Sequence, residues 1–475
     1  YMSDNRERFS SRLGFILAAA GSAVGIGNLV GFPVSATKNG GGAFLLIYAL
    51  FVVFICLPVM MAEMAMGRNA QKDPLGSYTL LANNDKKWKF AGFLAVLTPF
   101  MIAVFYMVIT VWIFGYLIQA GMGNLNALAD PSHFGTFINS YTVFAYMAVV
   151  VVIVNLILLG GVKQGIEKAA KVLMPALLVM LLALVAYVLT LDNALAGVEY
   201  YVIPDFSKMS ASVLNGALSQ AFFSLSLGMG ILMTYASYIS KKDDIVSSAK
   251  MVAITDSLVA FVAGLMVLPA IFSFDPNTNP ESLSDSSVSM IFVFLPKILL
   301  ALQNDIGYVG ASTVAFAFFL LVFFAAITSL VSIVEVPTAS LSDRKGISRK
   351  KALGILTLST GVLTIICTMS FGMVDSLTSF TSYGGASKSF FDIVIDVFYD
   401  TILPLNGLMV CLFVMYRWKK ARLTQELSQG SPSYEGSMME KYVNFSLSTF
   451  IPFILAVIFI NTVATKFFGL KLFGF

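Results

Sequence analysis

The residues with the most chemistry to offer sit where a membrane helix would least tolerate them. Gly21-Ser22-Ala23-Val24-Gly25-Ile26-Gly27-Asn28 lies in the middle of an apolar run over residues 13–34. Each glycine costs a helix about 1 kcal/mol relative to alanine. A buried asparagine needs partners that lipid does not supply. Taken alone, a Gly-x-Gly pair is also what close helix packing uses. A second apolar run, five runs further on, carries Ser224-Leu225-Ser226-Leu227-Gly228-Met229-Gly230 at its centre. Two such interruptions predict two broken helices in two structural repeats. Breaks of this kind expose backbone N–H and C=O groups at mid-membrane. Half-helix N-termini then favour a carboxylate, and unwound carbonyls favour sodium.

Further polar groups sit deep in other apolar runs. Asp256, beside Thr255 and Ser257, lies well inside the seventh. A carboxylate there costs roughly 2.5–3.5 kcal/mol, so it is paired, protonated or bound to a cation, and a cation is the preferred reading. Thr328 and Ser329 are adjacent hydroxyls in the eighth run. Such hydroxyls bond back to their own helix, or, opposite the first break, they offer hard oxygen ligands. Ile102 and Tyr106 stand one turn apart on one face of the third run. The mid-span tyrosine hydroxyl needs a partner, either a neighbouring carbonyl or a substrate carboxylate. Glu63 falls in the last turn or two of the second run. It is expected to accept hydrogen bonds from N–H groups freed by a break, supporting a site without touching substrate. Glu335 has no obvious partner. Asp392, Asp396 and Asp400 recur every four residues after Lys388 and share one face of the tenth run, either a solvated face or an aqueous entry path.

The elements that must position these groups follow from composition. Of 475 residues, 58% are hydrophobic and 12% charged, which marks an integral membrane protein. Apolar runs of spanning length occur at about 13–36, 43–66, 90–120, 141–160, 168–190, 213–239, 249–272, 306–341, 351–371, 389–416 and 445–464. They are too long and continuous for barrel strands, so eleven helical spans are predicted. With the N-terminus inside, the inner segments hold 24 of the 30 Lys and Arg residues and the outer segments 6. That asymmetry predicts a cytoplasmic N-terminus and, with eleven spans, an outer C-terminus. The net charge of +4 is therefore topology rather than a nucleic-acid surface.

Between the spans, Lys38-Asn39-Gly40-Gly41-Gly42 predicts a flexible outer turn, 275–304 a lid-like outer loop, and 417–441 a charged inner loop. Residues 466–475 predict an interfacial ending. Gly165, ten residues before Pro175, predicts that the inner half of the fifth span unwinds and admits water. The charged opening from Asp4 and Asn5 to Arg8 shows no cleavable signal peptide. Cys56, Cys367 and Cys411 read as small apolar filler. His133 is the single histidine, so neither a metal site nor a histidine triad is expected, and no enzyme chemistry.

The motifs resemble those of the neurotransmitter:sodium symporter family, in its short bacterial form. The matches are Arg12-Leu13-Gly14 with the Gly21–Asn28 run; Asn39-Gly40-Gly41-Gly42-Ala43-Phe44; Glu63 through Gly67-Arg68; Ser224-Leu225-Ser226-Leu227-Gly228; Tyr235-Ala236-Ser237-Tyr238; and Thr328-Ser329. They cover most of the first ten spans in order. The resemblance implies an all-α membrane fold of two inverted five-helix repeats, 1–190 and 191–417, with helices 1 and 6 broken. Residues 418–475 add an inner loop and an eleventh helix.

The resemblance also implies two sodium ions. One site would use the Ala23 carbonyl, Asn28, Ser224 and Asp256. The other would use the Gly21, Val24 and Ala325 carbonyls with the Thr328 and Ser329 hydroxyls, oxygen sets suited to a hard cation. Substrate would meet Ser22, Ala23, Gly25, Gly27, Ile102, Tyr106, Phe223, Ser226, Met229, Ser329 and Ile333, with Leu330 in the apolar wall. Amine-selective members carry aspartate where Gly25 stands here, so a neutral, hydrophobic amino acid is expected. The family usually has asparagine where Asp256 stands, and this fixed charge implies chloride independence. An inner gate would join Arg6 and Phe9 to Asp343, Ser237 and Tyr238. The family's outer-gate arginine is Gly31 here. Asp392 or Asp396 must then be met by Lys388, by water, or by a more cationic substrate.

The expected activity is sodium-coupled symport by alternating access in the inner (plasma) membrane. Its partners are a small amino-acid substrate and the lipid bilayer, with no nucleic acid, in a monomer or weak dimer. Transport of an amine or another small zwitterion, proton coupling, and a ligand-gated channel on the same fold are the alternatives.

Overall fold

The computed structural model describes residues 6–280 and 287–472. Asp4, Asn5, part of the expected outer lid (281–286) and the last three residues of the interfacial ending lie outside the described residues. Among the described residues nine helices are long and apolar enough to cross a membrane: Gly42–Ala70, Lys86–Gly121, Thr142–Leu159, Val162–Val188, Ile245–Phe274, Gln303–Arg344, Arg349–Phe371, Phe390–Arg417 and Met438–Phe468. Arg12–Ala23 and Gly27–Lys38, which meet at 54°, are together long and apolar enough to be one more. The remaining apolar stretch consists of Ala211–Ser224 and Ile231–Ala236, joined by an irregular turn over 225–230. In chain order these are segments 1 to 11.

Short polar side chains set where the helices begin. Ser11, Asp85, Asp244, Ser348 and Ser437 each accept an N–H of the first turn that has no partner within the helix. Ser389 and Asp392 exchange hydrogen bonds as a capping box at the start of segment 10. Apolar side chains are exposed along the outward faces, including Val152 and Leu156 of segment 4, Val179 and Leu182 of segment 5, and Leu358 of segment 9. In a membrane helix that is the face lipid covers. Segment 1 packs on segments 5, 7 and 8, and segments 3 and 8 run against each other.

Three local expectations are corrected, and one connection is newly defined. Segment 5 is wound throughout: Val162–Glu167 forms a wide π-helical turn that leads straight into Lys168–Val188, and Pro175 sits inside that helix. The turn at Gly40–Gly42 is tightly packed. A Cβ on Gly41 would lie 2.3 Å from the Tyr200 carbonyl oxygen, so only glycine admits that backbone. Residues 417–441 contain a helix, Lys420–Ser428, with Leu423 and Leu427 buried. The connection before segment 10 is a two-stranded antiparallel hairpin, Thr381–Tyr383 with Ala386–Lys388. Its turn residues Gly384 and Gly385 both have positive φ (60° and 81°), as tight hairpins require.

Candidate functional site

The two breaks face one cavity. In segment 1 the helix ends at Ala23, and Val24 is extended (φ −80°, ψ 95°), so its carbonyl leaves the helical ladder. In segment 6 the chain turns through Ser226, Gly228 and Gly230, all at positive φ (60°, 81° and 73°). A cavity of about 250 Å³ lies between them, and every residue expected to touch substrate lines it: Ser22, Ala23, Gly25, Gly27, Ile102, Tyr106, Phe223, Ser226, Met229, Ser329 and Ile333. None of the residues lining it is charged. Leu330 is buried but does not line it, which corrects that part of the wall. Phe105, Ile109, Gln220, Ile395 and Tyr399 complete it, and sequence reasoning had not found them.

The cavity wall is tight at Gly25. A Cβ there would stand 2.7 Å from Ser329 Oγ and 2.9 Å from the Tyr106 hydroxyl. Those two hydroxyls therefore converge on the backbone of the break. Behind them, Ser22 Oγ lies 3.1 Å from Ser226 Oγ and accepts from Ser332 Oγ at 2.7 Å.

Beside the cavity, Asp256 is fully buried and hydrogen-bonded through both oxygens. Asn28 Nδ2 (2.8 Å) and Ser224 Oγ (2.7 Å) donate to Oδ1, and the Tyr48 hydroxyl donates to Oδ2 at 2.8 Å. Ser224 Oγ is also 3.0 Å from Asn28 Oδ1. Asn28 Oδ1 of segment 1 and Asp256 Oδ1 of segment 7 thus both lie within hydrogen-bonding distance of Ser224 Oγ of segment 6. One carboxylate among neutral oxygens suits a monovalent hard cation. The partner missed in the sequence is Tyr48. Its signal was a polar tip inside an apolar helix with no local acceptor.

Gly21, Ala325, Thr328 and Ser329 of the second oxygen set lie together between segments 1 and 8. Ser329 Oγ donates to the Ser22 carbonyl (3.0 Å) and reaches that of Gly21 (3.4 Å). A Cβ on Gly21 would be 3.3 Å from Thr328 Cβ. The Thr328 hydroxyl bonds back to Ala325 (3.0 Å) and Phe324 (3.1 Å) of its own helix. Glu63, 1% exposed, accepts the Gly228 N–H at 2.9 Å, and Asn406 Nδ2 donates to the Gly228 carbonyl at 2.9 Å. The peptide groups freed by the second break are therefore held by side chains of segments 2 and 10.

A family model for the sodium:neurotransmitter symporter family matches residues 6–129 and 133–472. The chain belongs to this family. It is 32% identical to the sodium-dependent transporter YhdH of Bacillus subtilis over 96% of this chain and 97% of that protein. It is 33% identical to the sodium-dependent transporter MJ1319 of Methanocaldococcus jannaschii over 89% and 84% of the two chains. Among solved structures it is similar to that of MhsT in complex with L-phenylalanine, with 36% identity, a TM-score of 0.80, and 96% and 99% of the two chains covered. The protein is a multi-pass membrane transporter of this sodium-dependent family and not an enzyme.

At the end of the protein that holds its N-terminal residues, the five side chains expected to form an inner gate meet. Arg6 Nη1 bonds Asp343 Oδ1 (2.7 Å), Nη2 bonds Ser237 Oγ (2.8 Å), and the guanidinium lies 5.0 Å above the Tyr238 ring. Burial would lower the Arg6 pKa, but Tyr238 and Asp343 hold it above its ordinary value. Phe9 packs edge-on to Tyr235 and Tyr238, with ring centroids 5.7 and 6.1 Å away. Glu335, left without a partner in the sequence, is bound by Arg349 (2.5 and 3.0 Å) and by the Tyr238 hydroxyl (2.6 Å).

At the opposite end Asp392 and Asp396 part ways. Asp392 is spent on the capping box. Asp396, 5% exposed, accepts from the Tyr383 hydroxyl (2.7 Å) and pairs with Lys388 (3.2 Å) and Lys466 (3.6 Å). Gly31 lines the cavity with no side chain to offer. His133 sits apart from the cavity, its Nε2 3.0 Å from Gln119 Oε1, and burial holds the imidazole below its ordinary pKa.

Proposed function

We propose that the protein carries a neutral, hydrophobic amino acid into the cell with two sodium ions, by alternating access. The observation that carries this reading is the uncharged cavity between the two breaks, flanked by the Asp256 oxygen set. A zwitterion needs partners for both ends. The N–H groups at Gly25 and Gly27 and the Tyr106 hydroxyl suit its carboxylate, and carbonyls such as that of Ala23 suit its ammonium. The rest of the lining, Ile102, Phe223, Met229 and Ile333, is apolar. A cavity of about 150 Å³ accommodates benzene, so about 250 Å³ has room for an aromatic ring and an amino-acid head group. The bound phenylalanine of MhsT agrees with that size. An uncharged lining offers no counter-ion to an amine lacking a carboxylate, which disfavours the amine alternative.

In this reading Asn28, Ser224, Asp256 and the Ala23 carbonyl hold one sodium ion. Thr328, Ser329 and the Gly21, Val24 and Ala325 carbonyls hold the other. Asp256 supplies the fixed negative charge, so chloride is not required. The transmembrane potential adds about 2.3 kcal/mol per charge per 100 mV, so two ions are a sufficient drive. The cluster of Arg6, Phe9, Ser237, Tyr238 and Asp343 is the closed inner gate, with Asp396 on the outer side and Glu63 bracing the second break. The N-terminus faces the cytoplasm and the C-terminus the outside of the plasma membrane, across eleven spans. Residues 1–190 and 191–417 form the inverted repeats, and 418–475 follow.

The test is a scintillation-proximity screen of the twenty amino acids and related amines, with and without sodium, followed by uptake into vesicles. Saturable accumulation driven by a sodium gradient and absent in choline is expected. Uptake that persists without sodium would point to proton coupling, and flux without accumulation to a channel. Either result overturns the proposal.

A further inference from the structure

Segment 10 is loosened where it meets the cavity. Over Ile395–Ile402 it is wound as a π-helix, wider than an α-helix and the longest such stretch among the described residues. Pro404 lacks an N–H to donate back into this stretch, and the Thr401 hydroxyl donates to the Asp396 carbonyl at 2.7 Å. Ile395 and Tyr399, from this stretch, line the cavity, and the Tyr399 ring lies 5.0 Å from that of Phe223. The same stretch carries Asp396 and Asp400. Their cations come from elsewhere in the chain. Lys388 of the hairpin pairs with Asp396 (3.2 Å), and Lys466, near the end of segment 11, reaches both Asp396 (3.6 Å) and Asp400 (3.1 Å). Tyr383 of the hairpin stacks on Phe467 at 5.0 Å and lies beneath the Lys388 ammonium. A Cβ on Gly384 would stand 2.3 Å from the Lys466 carbonyl oxygen, so hairpin and helix end are seated on each other.

We propose that Lys388 and Lys466 are positioning residues that clamp the loosened turn of segment 10 against the cavity and so set its access from the outside. This gives the eleventh segment a part in gating. The cations paired with Asp396 come from the hairpin and from segment 11. The direction of access rests on the transport reading above. Both lysines are partly exposed (22% and 40%), so the clamp weakens as salt rises.

The test uses Ile109→Cys as a reporter inside the cavity. The three native cysteines are buried, and the parent protein gives the background rate. A membrane-impermeant methanethiosulfonate is applied to the outside of intact cells. The double variant Lys388→Met/Lys466→Met is expected to raise the modification rate about fivefold, the scale of two partly exposed ion pairs. Lys466→Arg restores the charge and the slow rate. In the reporter protein with both lysines, raising N-methylglucamine chloride to about 1 M, where the Debye length is about 3 Å, speeds modification, and in the double variant it does not. An unchanged rate in the double variant, or a rate indifferent to salt when both lysines are present, overturns the clamp. If the double variant fails to fold, the salt titration alone decides. The readout needs no substrate, so it is distinct from a failure of the amino-acid transport reading.

Discussion

Gly25→Ala adds one methyl group at a tightly packed point of the cavity wall. The new Cβ would lie 2.7 Å from Ser329 Oγ and 2.9 Å from the Tyr106 hydroxyl, both inside contact distance. Ser329 can rotate away only by giving up its hydrogen bond to the Ser22 carbonyl (3.0 Å). The Tyr106 oxygen is fixed to a rigid ring, so the ring or segment 3 must shift. Overpacking of this kind costs about 1–3 kcal/mol, which at 1.4 kcal/mol per decade is a loss of affinity of about 5- to 140-fold. Gly27→Ala is the matched control. Its Cβ would meet only Gln220 Nε2, at 3.6 Å, an ordinary contact. A change of about 0.5 kcal/mol or less, roughly twofold, is expected there. The assay is equilibrium binding, in saturating sodium, of whichever labelled amino acid the screen selects to purified protein, with thermal stability measured alongside. Binding by Gly25→Ala within twofold of the parent, or an equal loss in both variants, would refute the steric argument.

Asp256→Asn removes the carboxylate from the oxygen set. The sodium concentration for half-maximal binding should rise about tenfold or more, the scale of one charge-assisted hydrogen bond, and chloride should begin to stimulate; unchanged, chloride-indifferent sodium binding would sink the assignment. Glu63→Ala leaves the Gly228 N–H without an acceptor and should cost about 1–3 kcal/mol of stability, whereas Glu63→Gln keeps a carbonyl oxygen in place and should cost less; thermal unfolding in detergent separates the two. Arg68 is fully buried and donates to Glu426 Oε1 (2.8 Å) and to the Asp243, Glu426 and Gln429 carbonyls, so it ties segment 2 to the helix over 420–428. Arg68→Ala should destabilise by about 1–3 kcal/mol: the buried carbonyls lose their donor and the Glu426 charge is partly stranded, keeping only Asn69 Nδ2 (2.8 Å) and the half-exposed Lys241 (3.6 Å), and Arg68→Ala/Glu426→Ala should recover part of that loss. Equal stability in the single and double variants would count against the stranded-charge explanation.

Apolar runs long enough to span a bilayer, and glycine pairs that a helix does not need, are properties of a short stretch of chain. They are legible without knowing what the stretch packs against. That is why the helical segments and the interruptions at Gly25 and Gly228 could be placed from the order of residues alone. The types of polar group near the breaks were legible for the same reason, since any such group in an apolar run demands an explanation. Who answers each group depends on partners far along the chain. Tyr48 meets Asp256 208 residues away, Arg68 meets Glu426 358 residues away, and no periodicity encodes either meeting. Asp392 and Asp396 share a helix face, yet one closes a cap and the other receives lysines from two other elements. Segment 5 shows the reverse case. Glycine and proline there weaken a helix locally, and tertiary packing holds it wound through one wide turn. Local sequence sets what each segment can tolerate and which groups need partners, because those terms depend on a residue and its near neighbours. The packed structure alone decides the partners, because each pairing is the outcome of burying all the segments together.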